Sequence, residues 1–138
     1  IRSVDPHIHL EKLYPEEFSV DIVYEVPYDN ISFFKDYQIV AFHRSFGGDF
    51  EMANKLIKDL NSNGIQTVCD IDDYWMPGKE HPIHDMIRVN KINEKIMKNL
   101  STSKYVTTTT SLFADEIKKL KQKDLGLIFV PKWDNKLI

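Results

Sequence analysis

The fold is decided by residues 37–73, YQIVAFHRSFGGDFEMANKLIKDLNSNGIQTVCDIDD, which read as a strand, a helix and a second strand. Residues 37–44 hold the continuous apolar run IVAF, which is typical of a strand covered on both faces. An amphipathic helix follows, with Asp49 as its predicted N-cap and Gly64 at its end. Residues 66–71 form the next apolar strand and end in acidic residues. This unit predicts two parallel strands joined by a crossover helix.

The same alternation extends to both sides of this unit. It predicts an α/β fold, namely a Rossmann-like, open, mostly parallel sheet with helices on both faces. No linker interrupts the chain, so 1–138 is expected to be a single domain. Because a doubly wound domain usually begins with a strand and this chain begins with a helix, we expect a first strand upstream of Ile1 and a fragment of a longer chain. The other predicted strands are 20–26, 104–109 and 126–130, and the other helices begin at Asp5 and cover 83–100 and 111–121.

Composition excludes several classes of protein. The 138 residues carry 18 Lys and Arg against 21 Asp and Glu, a net charge of −3, which does not suit non-specific binding to nucleic acid. A hydrophobic content of 42% is that of a globular domain rather than a disordered one. The single cysteine, Cys69, allows no internal disulfide and favours a reducing cytoplasm. It lies within an apolar strand and is expected to be a buried packing residue.

Polar residues follow each predicted strand, and ligands of open α/β sheets bind at this carboxyl edge. The densest cluster is DIDDYW, residues 70–75. Neighbouring carboxylates repel one another, so they require a cation or hydrogen-bond donors. We expect Asp72 or Asp73 to accept hydrogen bonds from substrate hydroxyls, and Trp75 or Tyr74 to offer a stacking face. The alternative is a solvated acidic loop in which one Asp caps a turn.

His43 and Arg44 end another strand at the same predicted edge. The guanidinium of Arg44 could grip an anionic or polyhydroxyl ligand through its bidentate donors. The alternative is that this His43-Arg44 segment forms an ion pair with a nearby acid such as Asp70 or Asp72. The sequence alone leaves both interpretations open.

Two further polar segments carry weaker signals. His81 and His84 suit a zinc ion, but their spacing is loose and includes a proline, so no metal site is predicted. The run TTTTS, which contains Thr110, opens a helix with hydroxyls and backbone N–H groups. N-capping alone explains that run equally well. No Gly-rich nucleotide fingerprint occurs in the chain.

In their order and spacing, these motifs resemble the N-terminal domain of GT-B-fold glycosyltransferases, and in particular the bacterial group 1, family-4-like enzymes. The resemblance covers nearly the whole chain. Lys132 stands where the family usually has Asn. The segments that carry it are VCDIDDYW (68–75), the HP pair (81–82), YVTTTTSLFADEIKK (105–119) and IFVPKWDN (128–135).

The resemblance implies a metal-independent transfer of a sugar from a nucleotide-diphospho-sugar to a glycan or lipid-linked acceptor, in the synthesis of cell-surface polysaccharide. The acceptor would bind this domain, and the donor would bind a C-terminal domain of the same polypeptide. Without that domain the chain should not catalyse, and it needs no cofactor of its own. A cytoplasmic enzyme at the inner face of the membrane is implied. Carried over by position, the cleft wall would be formed by Asp72, Asp73, Trp75, His81 and Thr110, with Asp72 and Asp73 as catalytic candidates.

Two other functions remain open at this point. The first is a Mg²⁺-dependent phosphatase that resembles the haloacid dehalogenases, because DIDD also resembles their D-x-D motif. In that case Asp70 would be the nucleophile and Asp72 the general acid, with Thr108 or Thr109 and Lys132 on the phosphate. The second is a non-catalytic α/β binding module.

Overall fold

The computed structural model describes residues 4–72, 78–120 and 127–129. Four parallel strands lie in the order β1-β2-β3-β4 in one open sheet, with helices packed on it. The predicted fold class, an open and parallel Rossmann-like α/β sheet, is therefore confirmed. The elements are α1 (Val4–Leu13), a 3-10 helix (Ile31–Phe34), β1 (Ile39–His43), α2 (Phe50–Ser62), β2 (Gln66–Asp70), α3 (His84–Val89), α4 (Ile92–Thr102), β3 (Tyr105–Thr107), α5 (Ser111–Leu120) and β4 (Leu127–Phe129).

The hydrophobic core lies on one face of the sheet. The register places Phe42, Cys69 and Val106 side by side on neighbouring strands, and all three are buried. Since side chains of paired parallel strands point the same way, these residues form one apolar surface. They belong to the same core cluster as Leu56 of α2 and Leu100 of α4. Cys69 is thus the buried packing residue that the sequence predicted.

Helix α2 begins where the sequence predicted it. The carboxylate of Asp49 accepts hydrogen bonds from the backbone N–H groups of Glu51 (3.1 Å) and Met52 (3.0 Å). These donors have no partner within the helix, so the cap supplies one. The next turns bury Leu56 and Leu60 against the sheet, which fixes the direction of the crossover from β1 to β2.

A polar contact joins α2 to α4 beneath the core. The amide nitrogen Nδ2 of Asn54 donates to Asn99 Oδ1 (3.0 Å), to Thr102 Oγ1 (2.8 Å) and, more weakly, to the Lys98 carbonyl (3.4 Å). Asn54 and Asn99 are both buried. Buried amides need partners of this kind, so the contact sets how the two helices face each other.

The opposite face of the sheet is less covered. Ile39 and Ala41 of β1 are exposed, and a groove of about 700 Å³ runs beside β1. Its other wall includes Val4 of α1 and Val20. The carboxyl end of this face, described below, carries the polar residues.

The strand predicted at 20–26 is wrong, because these residues have no regular secondary structure. The backbone N–H of Val20 donates to the Glu11 carboxylate instead of to a neighbouring strand. The hydroxyl of Tyr37 similarly donates to the carboxylate of Asp21. β-Branched composition favours a strand only where another strand can pair with it.

The single helix predicted at 83–100 is in fact two helices. Lys91 has a left-handed backbone (φ 54°) and separates α3 from α4. The Asn90 side chain donates to the Met86 carbonyl (2.8 Å) and so ends α3 with a local bond that a continuing helix does not need. None of the helices in the described ranges is long and apolar enough to cross a membrane.

Candidate functional site

Three polar residues stand in a row at the carboxyl end of the sheet. His43, Asp70 and Thr107 are register partners on β1, β2 and β3, so their side chains share the less covered face. The Thr107 hydroxyl donates to Asp70 Oδ1 at 2.6 Å. This bond gives Asp70 a donor that its negative charge needs.

Asp72, two residues beyond β2, joins this row through His43. The distance between His43 Nε2 and Asp72 Oδ1 is 2.9 Å, a hydrogen bond that becomes an ion pair when the imidazole is protonated. Each of the two side chains is 32% exposed, so a ligand in solvent can reach both. The contact brings together two strand ends that are 29 residues apart in the chain.

The turn that follows β1 has a strained backbone. Arg44 (φ 52°) and Phe46 (φ 50°) adopt the left-handed conformation although neither is glycine, and Gly47 (φ 87°) follows. Such non-glycine residues cost on the order of 1–3 kcal/mol each and occur mainly at functional sites. The Arg44 N–H still donates to the Asp70 carbonyl (2.9 Å), so the turn begins in register with β2.

Tyr28 holds this turn from the side. Its hydroxyl donates to the Phe46 carbonyl (2.8 Å) and accepts from the Asp49 N–H (3.3 Å). A Cβ atom at Gly47 would lie 2.1 Å from that hydroxyl oxygen, which is far inside contact distance. The Phe46 ring stacks on Phe42 of β1, with centroids 4.3 Å apart. The turn is thus fixed by a hydrogen bond, a ring stack and a position that only glycine fits.

The structure brings three of the predicted site residues together. His43, Arg44 and Asp72 all lie where β1 and β2 end. The contact between the His43 imidazole and Asp72 joins the partners that the ion-pair alternative for the His43-Arg44 segment predicted. Asp73 and Trp75 lie outside the described residues, and no contact is assigned to them.

The other two predicted residues have local roles in the structure. His81 is exposed, and its Nδ1 accepts a hydrogen bond from the Ile83 N–H (3.3 Å) just before α3. Thr110 is exposed at the start of α5, where its carbonyl accepts from the Ala114 N–H (3.0 Å). Both follow strands at the carboxyl edge, but neither of these bonds joins the His43–Asp72 pair.

The sequence placed Thr107 at this edge without selecting it as a site residue, and it gave no indication of Tyr28. Thr107 could have been found by aligning the strand ends, because it lies opposite Asp70 in the register. Tyr28 gives no such signal, since it lies in an irregular segment 18 residues before the carbonyl that it holds. Among the residues that the structure describes, no group of three or more His, Cys, Asp and Glu side chains could hold a metal ion.

The site therefore offers carboxylates, an imidazole and a hydroxyl at the end of a parallel sheet, together with Arg44 on a fixed turn. Such groups can accept and donate hydrogen bonds to a polyhydroxyl ligand. Comparison of the chain with protein-family models, with curated proteins and with solved structures gives no match. The function must therefore be inferred from these residues.

Proposed function

We propose that this chain is the N-terminal, acceptor-binding domain of a glycosyltransferase that uses a nucleotide-diphospho-sugar donor. The observation that carries the proposal is the pair of His43 and Asp72 at the carboxyl end of the sheet, 2.9 Å apart and one-third exposed. Carboxylates at such an edge accept hydrogen bonds from hydroxyl groups, and an acceptor sugar presents several of them.

The resemblance to the GT-B family adds the direction of the chemistry. The acceptor hydroxyl attacks the anomeric carbon of the donor sugar, the bond to the nucleotide diphosphate breaks, and the hydroxyl proton passes to the departing diphosphate. In this proposal Asp72 holds the reacting hydroxyl, His43 orients the Asp72 carboxylate, and Arg44 contacts a more distant part of the acceptor. The donor binds the C-terminal domain, at the inner face of a membrane in the cytoplasm.

The test is binding of simple sugars to the chain. Amide NMR spectra are recorded while methyl glycosides of glucose, galactose, mannose and N-acetylglucosamine are added one at a time. At least one glycoside should shift the resonances of His43, Arg44 and Asp72. Asp72→Asn should weaken that binding about three- to tenfold, because a charged acceptor is replaced by a neutral amide oxygen.

Glu116→Gln is the matched control for that experiment. Glu116 is an acidic residue on α5 that pairs with Lys119 (2.9 Å), so the variant removes the same charge at a surface position. It should leave sugar affinity unchanged. A folded chain that shows no shift at the sheet edge with any of the four glycosides would contradict the proposal.

The phosphatase hypothesis is the second candidate, since Asp70 and Asp72 both lie at this edge. One observation narrows it, because the Thr108 side chain is completely buried, which leaves the half-buried Thr109 as the candidate for the phosphate. The predicted partner Lys132 lies outside the described residues. Hydrolysis of p-nitrophenyl phosphate with Mg²⁺, abolished by Asp70→Asn, would favour the phosphatase over the glycosyltransferase domain.

A further inference from the structure

Tyr28 makes contacts that its place in the chain does not explain. It lies in the irregular segment before the 3-10 helix, yet its hydroxyl reaches the turn between β1 and α2. There it donates to the Phe46 carbonyl (2.8 Å) and accepts from the Asp49 N–H (3.3 Å). One oxygen atom thus joins the last part of the turn to the N-cap of α2.

The turn needs such a support because of its backbone. Arg44 and Phe46 are both left-handed without being glycine, and residues of that kind persist only where their surroundings hold them. The contact at Gly47 shows how closely the support fits, since a Cβ there would come within 2.1 Å of the Tyr28 hydroxyl. A side chain at position 47 would therefore displace the Tyr28 hydroxyl from the turn.

The turn also decides where Arg44 lies. Its N–H is fixed to the Asp70 carbonyl (2.9 Å), while its side chain is exposed beside the site. If the turn relaxed to ordinary φ values, the Cα–Cβ bond of Arg44 would point in another direction. The hydroxyl of Tyr28 acts on the far end of the same turn, so it controls this direction without being part of the site.

We propose that Tyr28 is a positioning residue, whose hydroxyl holds the turn 44–47 so that Arg44 faces the bound acceptor. The inference rests on the proposed function, because it assumes a ligand that Arg44 contacts. It adds to that function a residue from the irregular N-terminal segment that touches no ligand.

The test is a double-mutant cycle with Tyr28→Phe and Arg44→Ala. Tyr28→Phe keeps the ring and removes only the hydroxyl. The probe is whichever of the four methyl glycosides binds the unaltered chain most tightly. Tyr28→Phe should weaken its binding about three- to tenfold in the unaltered chain and should have no effect in the Arg44→Ala background.

A merely structural role predicts a different result. In that case Tyr28→Phe would weaken binding equally in both backgrounds, and the positioning proposal would be overturned. Thr102→Ala is the stability control, because it removes a hydroxyl from the contact between α2 and α4 and leaves the turn intact. It should lower the Tm without changing affinity for the glycoside.

Amide NMR gives a second measurement that needs no ligand. Tyr28→Phe should shift the amide resonances of residues 44–48, and Thr102→Ala should not. Unshifted resonances in Tyr28→Phe would overturn the positioning role even if sugars bind. If no glycoside binds the unaltered chain, both proposals fail. If one binds and Tyr28→Phe binds it equally well, only the positioning role fails.

Discussion

Phe42 and Ile39 belong to the same five-residue strand, yet one is 6% exposed and the other 57%. Phe42 lies on the face that α2 and α4 cover, and Ile39 lies on the opposite face beside the groove. The covered face packs into the hydrophobic core and so contributes most of the stability. The less covered face ends in His43, Asp70 and Thr107. One face of the sheet thus carries the packed core, and the other carries the residues of the candidate site.

The largest loss of stability is expected within β1, where variants on the two faces of one strand can be compared. Phe42→Ala removes a buried ring and its stack on Phe46, and should lower the free energy of unfolding by about 3–5 kcal/mol. Ile39→Ala, on the other face, should cost less than about 1 kcal/mol. Urea denaturation of the two variants measures both values, and equal losses would show that both faces are packed alike.

The next largest effect is expected where α2 meets α4 under the covered face. Asn54→Ala removes hydrogen bonds to Asn99 and Thr102 and should cost about 1–3 kcal/mol. Asn63→Ala removes an amide that bonds only at the exposed end of α2, and should cost about 0.5 kcal/mol or less. Thermal unfolding, monitored by circular dichroism, measures the stability of the two variants. An Asn54 variant as stable as the Asn63 variant would contradict the role given to this contact.

A smaller loss is expected at the start of α2, where the covered face meets the turn. Asp49→Ala removes the cap of two backbone N–H groups and should cost about 1 kcal/mol. Asp49→Asn keeps an acceptor oxygen at the same place and should restore most of that stability. Chemical denaturation of both variants checks the prediction, which is wrong if Asn is no better than Ala.

The smallest effect on stability is expected at Tyr37, beside the less covered face, and it depends on pH. The hydrogen bond to the Asp21 carboxylate raises the pKa of the Tyr37 phenol above its ordinary value of 10.0, and partial burial and the charges of Asp21 and Asp36 act in the same direction. The neutral phenol is therefore favoured by folding. Its contribution is fully present below the ordinary pKa and is lost as the pH rises through the raised one.

A difference titration tests this pH dependence. Ultraviolet absorbance of tyrosinate is followed with rising pH in the unaltered chain and in Asp21→Asn. The variant should show one tyrosine that ionises at lower pH than its counterpart in the unaltered chain. Identical titration curves would show that the bond has no effect on the phenol.

The fold could be predicted from the sequence because its signals are local. The apolar run at 39–42, the cap at Asp49 and the apolar spacing of α2 each point to one structure. The wrong strand at 20–26 shows the limit, because its β-branched residues carry the composition of a strand and the fold provides no neighbour to pair with. The left-handed backbone of Lys91 could not be predicted either, because lysine carries no sequence signal for that conformation.

The candidate site was only partly predictable. His43, Arg44 and Asp72 could be placed at one edge because carboxyl ends of parallel strands converge. An ion pair of the His43-Arg44 segment with Asp70 or Asp72 was one predicted alternative. The choice of His43 and Asp72 could not be predicted, since it depends on the register of two strands and on the path of the chain after each of them. Tyr28 could not be found at all, because its partner is a backbone carbonyl of a strained turn.

The order of the strands has a consequence for how the protein is made. Each strand lies beside the next one along the chain, so that Val40 is opposite Thr67 and Val68 is opposite Tyr105. In the described part of the sheet, no strand has to be inserted between two that are already paired, although parallel pairing across a crossover helix is slower than the closing of a hairpin. We therefore expect the sheet to grow at one edge, with β3 and then β4 added to the pair that β1 and β2 form.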